Sequence, residues 1–214
     1  MKTIYLVRHG ETEWNASGRY QGFTDVPLNG RGLRQAEACA EVLANVTVHR
    51  VISSDLVRAQ VTAETIAKKL PPVFGGDVPL HVDSRLREIN FGRWESLTYE
   101  QIESKWPGAI DTMYRKPAEV GIEGGESFAD VQVRAWEAVR DGLASIGENE
   151  TLLTVCHGGT IRTILCRLIG VSLNHCWNFA QGNTAITKVS FGGEEPDAHN
   201  VITMLNDTRH IAGI

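Results

Sequence analysis

Short apolar runs alternate with amphipathic helical patterns along most of the 214 residues, and this alternation restricts the fold more than any other feature. The runs that predict strands cover residues 3–7, 50–54, 80–83, 151–156, 184–191 and 201–206. Helical patterns separate most of them, which is typical of βαβ units. The sequence therefore predicts an α/β fold with three layers, α/β/α, around a mostly parallel sheet.

Four helices are predicted from the spacing of apolar residues and from their end signals. They cover residues 33–44, 56–69 and 127–145, with a fourth that follows the turn at 158–159 and ends at 169. Asp55 lies where the second helix needs an N-cap, and Ser127 is the expected N-cap of the third.

The stretch 90–125 departs from the alternation and is predicted to be a helical cap inserted between core elements. Thr98 and Gln101 have the spacing of a capping box, so one helix of the cap should begin there. We expect residues 1–214 to form a single domain that includes this insertion, since the length suits one α/β domain.

Composition and charge argue against several classes of partner. A hydrophobic content of 42% with 22% charged residues is ordinary for a globular protein, and the net charge of −5 opposes binding to nucleic acid or an anionic membrane. The apolar run at the start of the chain is too short for a signal peptide or a membrane span. The four cysteines form no Cys-x-x-Cys pair, which favours reduced thiols and a cytoplasmic protein. The oligomeric state stays open, with a homodimer as one option.

Polar residues follow the predicted strands where chemistry is expected. In open α/β sheets, ligands bind beyond the carboxyl ends of the strands. The loops 8–32, 55–58 and 157–160 leave those ends. Arg8 and His9 come directly after the first strand, where packing does not explain a cation beside an ionisable ring, and Gly10 allows the backbone to approach a ligand closely.

Four segments in the same order resemble the histidine phosphatase superfamily, the phosphoglycerate-mutase-like proteins. They are Arg8-His9-Gly10 within 6–15, the segment 53–63 around Arg58, the segment 86–92 around Glu88, and His157-Gly158-Gly159. The resemblance extends from residue 3 to about residue 201. It implies about six strands, one of them antiparallel, with the helical cap at 90–125.

The resemblance also implies roles that make chemical sense. His9 would attack phosphorus as a neutral imidazole and form a phosphohistidine that water later opens. Arg8 and Arg58 would neutralise the phosphoryl oxygens, and a protonated His157 would donate to the same oxygens. Glu88 would protonate the leaving alcohol and then activate the water, which requires it to hold a proton beside the bound dianion.

Further positions are expected to bind substrate rather than to react. Asn15, Gln21 and Gly22 match family positions that contact phosphate through side-chain amides and backbone N–H groups, and Gly158 follows His157 in the same motif. No metal and no cofactor is expected, because the histidines and cysteines lack zinc-site spacing. The predicted partner is a small phosphorylated metabolite.

Three other functions fit parts of the sequence. Residues 156–163 match Cys-x5-Arg-Thr, the phosphate loop of cysteine-dependent phosphatases, with Cys156 as nucleophile. A phosphoglycerate mutase would return the phosphoryl group to substrate, although mutases of this family usually have a longer insertion after the position of Glu88 and a C-terminal tail over the site. A binding module without activity would be expected to lack one of the reactive residues, all of which are present.

The sequence therefore predicts a phosphomonoester phosphatase that acts through a phosphohistidine. The segments resemble the phosphatase branch, which includes α-ribazole phosphatases and broad-specificity phosphatases, so α-ribazole phosphate is one candidate substrate. Four aromatic residues of the cap either line the substrate entrance or belong to the core: Trp94, Tyr99, Trp106 and Tyr114.

Overall fold

The computed structural model describes residues 1–195 and 198–214, and within them six strands form one central sheet. The strands are β1 (Lys2–Arg8), β2 (Arg50–Ser53), β3 (Leu80–Val82), β4 (Thr151–Cys156), β5 (Ile186–Phe191) and β6 (Val201–Asp207). Their order across the sheet is β3-β2-β4-β1-β5-β6. β1, β2, β3 and β4 pair in parallel, whereas β5 is antiparallel to both of its neighbours. The predicted α/β class with one reversed strand is confirmed.

Helices cover both faces of the sheet. They are α1 (Glu13–Ala16), α2 (Gly30–Leu43), α3 (Val57–Ala67), α4 (Tyr99–Lys105), α5 (Ala109–Arg115), α6 (Phe128–Ala144) and α7 (Gly158–Leu168). The capping box of α4 at Thr98 and the N-cap of α6 at Ser127 form as predicted, and Asp130 extends the latter to a capping box. Helix α2 begins three residues earlier than expected, because the Asn29 side chain accepts a hydrogen bond from the N–H of Gly32.

The predicted role of Asp55 as an N-cap is wrong. The N-cap of α3 is Leu56, whose side chain cannot accept a hydrogen bond, and Oδ1 of the distant Asp25 accepts from the Val57 N–H at 2.8 Å instead. The carboxylate of Asp55 binds the Arg87 guanidinium in a bidentate pair, with distances of 2.8 and 2.6 Å. Asp55 therefore forms an ion pair with Arg87 and does not cap α3.

Strand β1 shows why three layers form. Ile4 and Leu6 point to one face of the sheet and pack against α6 and α7, whereas Tyr5 and Val7 point to the other face and pack against α2 and α3. All four side chains are buried, so this strand needs helices on both sides. The strand ends, which carry the polar motifs, are held in place by this core.

The stretch 90–125 contains α4 and α5 and packs into a third apolar cluster. Trp94 is buried in that cluster, and Trp106 packs against it together with the start of α6. Tyr99 and Tyr114 remain exposed on the cap surface. Across the described residues, no helix has both the length and the apolar character needed to cross a bilayer.

Candidate active site

The histidines of the two strand-end motifs lie next to each other. Strands β1 and β4 are parallel neighbours in which Arg8 pairs with Cys156, so the next residue of each strand is a histidine. The N–H of His9 donates to the carbonyl of Cys156 at 3.0 Å, and the ring centroids of His9 and His157 are 5.1 Å apart. The structure thus brings together two residues that are far apart in sequence, as the motifs required.

The ring of His9 is held in one tautomer. Its Nδ1 lies 2.6 Å from the Gly10 carbonyl oxygen, which can only accept, so Nδ1 carries the proton. Burial and the nearby guanidiniums of Arg58 and Arg8 hold the pKa of His9 well below its usual range. His9 is therefore neutral, with the lone pair of Nε2 available for attack on an electrophile.

The ring of His157 is fully buried beside it. Its Nε2 lies 2.9 Å from Oγ of Ser54, and its Nδ1 has no hydrogen-bond partner among the described residues. Burial, followed by the charge of Arg58, lowers its pKa well below the usual range. An anion in the site would oppose these effects and favour the protonated ring.

Two buried guanidiniums complete the positive cluster. Arg8 donates through Nη1 to the carbonyl of Gln181 at 2.7 Å, and Arg58 donates to the carbonyls of Gly22 and Thr24 at 2.8 and 2.9 Å. Burial lowers the pKa of each arginine to about 10, so both stay charged at neutral pH. The Nε atoms of both side chains are buried without a partner in the described structure.

Glu88 lies at the amino end of α7. Its two carboxylate oxygens accept from the N–H groups of Gly159 and Thr160, each at 3.1 Å. The Oγ1 of Thr160 donates to the carbonyl of Arg87 at 2.8 Å, which fixes the chain beside Glu88. A β-carbon on Gly159 would meet the Glu88 carboxylate at 2.5 Å, so glycine is needed for this approach.

The residues expected to contact phosphate lie around the same cavity. Oδ1 of Asn15 accepts from the Thr12 N–H at 3.2 Å and from Nδ2 of Asn183 at 3.3 Å, which leaves Nδ2 of Asn15 to donate elsewhere. Oε1 of Gln21 accepts from Oγ1 of Thr12 at 2.9 Å. Gly22 adopts φ +53°, and a β-carbon there would overlap the carboxylate of Glu95.

A cavity of about 400 Å³ joins these side chains. Its lining consists of Arg8, His9, Asn15, Gly18, Arg19, Tyr20, Gln21, Gly22, Arg58, Glu88, Phe91, Tyr99 and Tyr114. His157 is buried beneath this lining. Of the four cap aromatics, Tyr99 and Tyr114 line the cavity, whereas Trp94 and Trp106 pack in the cap core. A second cavity of about 450 Å³, beside the end of α7, is lined by none of the predicted site residues.

Sequence reasoning missed the segment 181–185, which precedes β5. The Thr184 N–H and Nδ2 of Asn183 both donate to the carbonyl of His9, at 3.2 and 3.1 Å. The Ala185 carbonyl accepts from the N–H of Arg8 at 3.3 Å. One signal was available: β5 is the reversed strand, so the residues before it lie at the same sheet edge as the residues after β1.

Glu95 was also missed. Its carboxylate accepts from the N–H groups of Phe23 and Thr24, at 2.8 and 3.0 Å, and so supports the loop whose carbonyls hold Arg58. No local pattern in the sequence indicates this contact, because the two segments are more than seventy residues apart.

The structure contradicts the alternative in which Cys156 is the nucleophile. Its side chain is fully buried in the core cluster that faces α6 and α7, and burial raises the pKa of the thiol. A cysteine nucleophile needs a lowered pKa and access to substrate. The arginine of the same motif, Arg162, donates through Nε to the carbonyl of Phe179 instead of completing a phosphate loop.

Fold and site together define an α/β protein with a cluster of histidine and arginine side chains at the carboxyl edge of its sheet. The sequence profile of the histidine phosphatase superfamily (branch 1) matches residues 4–203. The chain belongs to this superfamily.

Relatives of the chain include phosphatases and a probable mutase. Phosphoserine phosphatase 1 of Hydrogenobacter thermophilus is 32% identical, covering 99% of this chain and 95% of the relative. The probable phosphoglycerate mutase GpmB of Yersinia pestis is 34% identical, with 99% of this chain and 95% of the relative covered. The solved mycobacterial glucosyl-3-phosphoglycerate phosphatase complexed with VO3 is 30% identical, with a TM-score of 0.86 over 96% of this chain and 99% of that one.

Proposed function

We propose that the protein hydrolyses small phosphomonoesters, with Nε2 of His9 as the atom that takes the phosphoryl group and transfers it to water. The observation that carries the proposal is the setting of this atom. A neutral ring with a fixed tautomer lies beside three buried nitrogen atoms, Arg8 Nε, Arg58 Nε and His157 Nδ1, that have no hydrogen-bond partner among the described residues. A phosphoryl group supplies the oxygens that such donors require.

In the first step, the Nε2 lone pair of His9 forms a bond to phosphorus while the bond from phosphorus to the alcohol oxygen breaks. Glu88 donates its proton to that oxygen and becomes a carboxylate. Arg8, Arg58 and protonated His157 neutralise the three equatorial oxygens as charge redistributes. The Gly10 carbonyl accepts from Nδ1 throughout and stabilises the positive charge that develops on the ring.

In the second step, water attacks the phosphohistidine. The Glu88 carboxylate takes a proton from the water as the new oxygen–phosphorus bond forms, and the phosphorus–nitrogen bond breaks, which returns the electron pair to Nε2 of His9. Inorganic phosphate leaves, and both residues regain their starting protonation states.

The relatives guide the choice of substrate. Their names specify phosphoserine and glucosyl-3-phosphoglycerate, two small phosphomonoesters that carry a carboxylate. We expect compounds of this type to be better substrates than α-ribazole phosphate, which lacks a carboxylate. A panel that includes sugar phosphates and nucleotides measures this preference directly.

The second candidate is a phosphoglycerate mutase, which the probable mutase among the relatives favours. The first step would be the same, but the phosphoryl group would return to an organic hydroxyl. Incubation with labelled phosphoglycerate separates the two functions, because a phosphatase releases inorganic phosphate and a mutase yields an isomeric ester.

The proposal is tested by trapping the intermediate. Wild-type protein quenched during turnover of a ³²P-labelled ester should carry label that is lost in acid and retained in base, as expected for a phosphoramidate. His9→Ala should carry no label and lose about a thousandfold or more in kcat, with unchanged circular dichroism. Cys156→Ser serves as the matched control and should keep both label and rate. Turnover of His9→Ala at the wild-type rate would overturn the mechanism.

A further inference from the structure

The guanidinium of Arg162 lies beside the site and has no role in the steps above. Arg162 is one turn after Gly158 on α7, and helical side chains lean toward the amino end of their helix. A β-carbon on Gly158 would therefore lie 3.0 Å from Nη1 of Arg162, and it would lie 3.5 Å from Nε of Arg8. Both guanidiniums thus approach the same glycine.

Contacts on one side fix the orientation of Arg162. Its Nε donates to the carbonyl of Phe179 at 2.9 Å, and its central carbon lies 4.9 Å from the centre of the Trp177 ring. The ring of Tyr114, which lines the cavity, lies 4.6 Å from that of Trp177. The side chain is half-buried, so little freedom is left to it.

The charged end of Arg162 is unpaired. Among the described residues it forms no ion pair, and its only side-chain hydrogen bond is the one from Nε to the Phe179 carbonyl. Burial lowers its pKa, and the negative charge of Glu88 opposes this effect. A half-buried cation without a paired anion is costly unless a bound group supplies one.

The surroundings indicate which part of a substrate Arg162 faces. Arg8 and Arg58 hold the phosphoryl group, whereas Glu88 must touch the oxygen of the leaving alcohol. Arg162 lies against the Trp177 ring, which contacts the cavity residue Tyr114 of the cap, so it is on the side toward which the alcohol would extend. Its free Nη atoms form the fork that binds a carboxylate through two hydrogen bonds.

On this geometry, and resting on the proposed phosphatase function, we propose that Arg162 binds a carboxylate on the alcohol part of the substrate and selects carboxylated phosphomonoesters. Phosphoserine and phosphoethanolamine provide a matched pair, because they differ only by the carboxylate. The wild-type enzyme should prefer phosphoserine, and Arg162 should account for most of that preference.

The experiment compares kcat and KM of the wild type and three variants on both esters. Arg162→Met removes the charge and should lower kcat/KM for phosphoserine by about 10- to 100-fold, mainly through KM, with less than about a threefold change for phosphoethanolamine. Arg162→Lys keeps the charge without the fork and should fall between the two. Arg167→Met, on the exposed surface of the same helix, should match the wild type on both esters.

Two results would overturn the inference. Equal losses on both esters would mean that Arg162 contacts the phosphoryl group or stabilises the fold. Unchanged kinetics would mean that another residue binds the carboxylate. Calorimetric binding of the same esters to His9→Ala, with and without Arg162→Met, separates this inference from the proposed function. If the wild type hydrolyses neither ester, loss of the preference for phosphoserine binding in the double variant still supports Arg162 as the carboxylate ligand. Retention of that preference in the double variant rejects this assignment.

Discussion

Glu88 is held by the backbone at the start of α7, with its carboxylate on two N–H groups. This position places a carboxylate in the cavity lining, with backbone N–H groups of α7 as its partners. A general acid increases the rate most when the leaving alkoxide is strongly basic and leaves poorly without a proton.

We therefore expect the effect of Glu88→Gln to depend on the leaving group. Loss of kcat should exceed about a hundredfold on an alkyl phosphate such as phosphoserine and should be much smaller on p-nitrophenyl phosphate, whose phenolate needs no proton. Steady-state kinetics on both esters measure the difference. An equal loss on the two substrates would contradict the general-acid role, since a structural defect does not distinguish leaving groups.

Individual residues also show how much of the candidate site could be predicted from the sequence. Arg8, His9 and His157 could be predicted because each follows an apolar strand, and strand ends converge at one edge of a parallel sheet. Asn183 was missed because its contacts with the His9 carbonyl and with Asn15 depend on which strand is reversed, and the resemblance implied one antiparallel strand without identifying it as β5. Glu95 acts through a contact between distant loops that only the folded chain creates.

Among the elements, the amino end of α3 carries Arg58, a proposed phosphate ligand, and is capped by the side chain of Asp25. Asp25, in the loop that also supplies the carbonyls for Arg58, accepts from the first N–H of this helix. The helix start and the loop are therefore one structural unit. Asp55 has the better local sequence position for a cap, but its carboxylate is committed to Arg87.

We expect Asp25→Ala to remove the cap and lower the free energy of unfolding by about 1 kcal/mol. Urea denaturation monitored by circular dichroism gives this value. Asp77→Ala is the matched control, because Asp77 is exposed and makes no side-chain hydrogen bond in the described structure. A change in Asp77→Ala as large as that in Asp25→Ala would show that the effect does not arise from capping.

Strands and helix starts whose signals lie within a few residues of sequence were predicted well. The bounds of β4 agree residue for residue, and the caps at Thr98 and Ser127 formed as their spacing predicted. Observed helix ends differ from the predicted ones where a capping side chain sets the first turn, as the Asn29 side chain does for α2. At α2 this cap is local, because Asn29 lies only three residues before Gly32 in the sequence, whereas α3 is capped by the distant Asp25.

In the whole molecule, a protein of net charge −5 buries a cluster of cations around two neutral histidines. Folding keeps these rings unprotonated, whereas the unfolded chain protonates them near pH 6.5. Below that pH the unfolded state binds more protons than the folded state, so stability falls as the pH drops toward the lowered folded pKa values.

The contribution of each buried ring approaches a loss of about 1.4 kcal/mol per pH unit only once the pH lies well below about 6.5. His9→Gln, which cannot titrate, should reduce the change in unfolding free energy by about 1 kcal/mol between about pH 6.5, where the unfolded ring is half protonated, and about pH 5.5. Urea titrations of both proteins at the two pH values provide the comparison. Identical slopes for wild type and variant would mean that His9 is protonated in the folded protein.

The pairing of β1 with β4 sets the spacing of the two histidine rings. Neighbouring strands lie about 4.8 Å apart by backbone hydrogen bonding, and the two rings, each one residue past a paired position, are 5.1 Å apart. The backbone positions of both histidines are therefore fixed by the ladder between the strands and not by the surrounding loops. Substitutions in the cap at 90–125 should change the walls of the cavity and leave the spacing of His9 and His157 as it is.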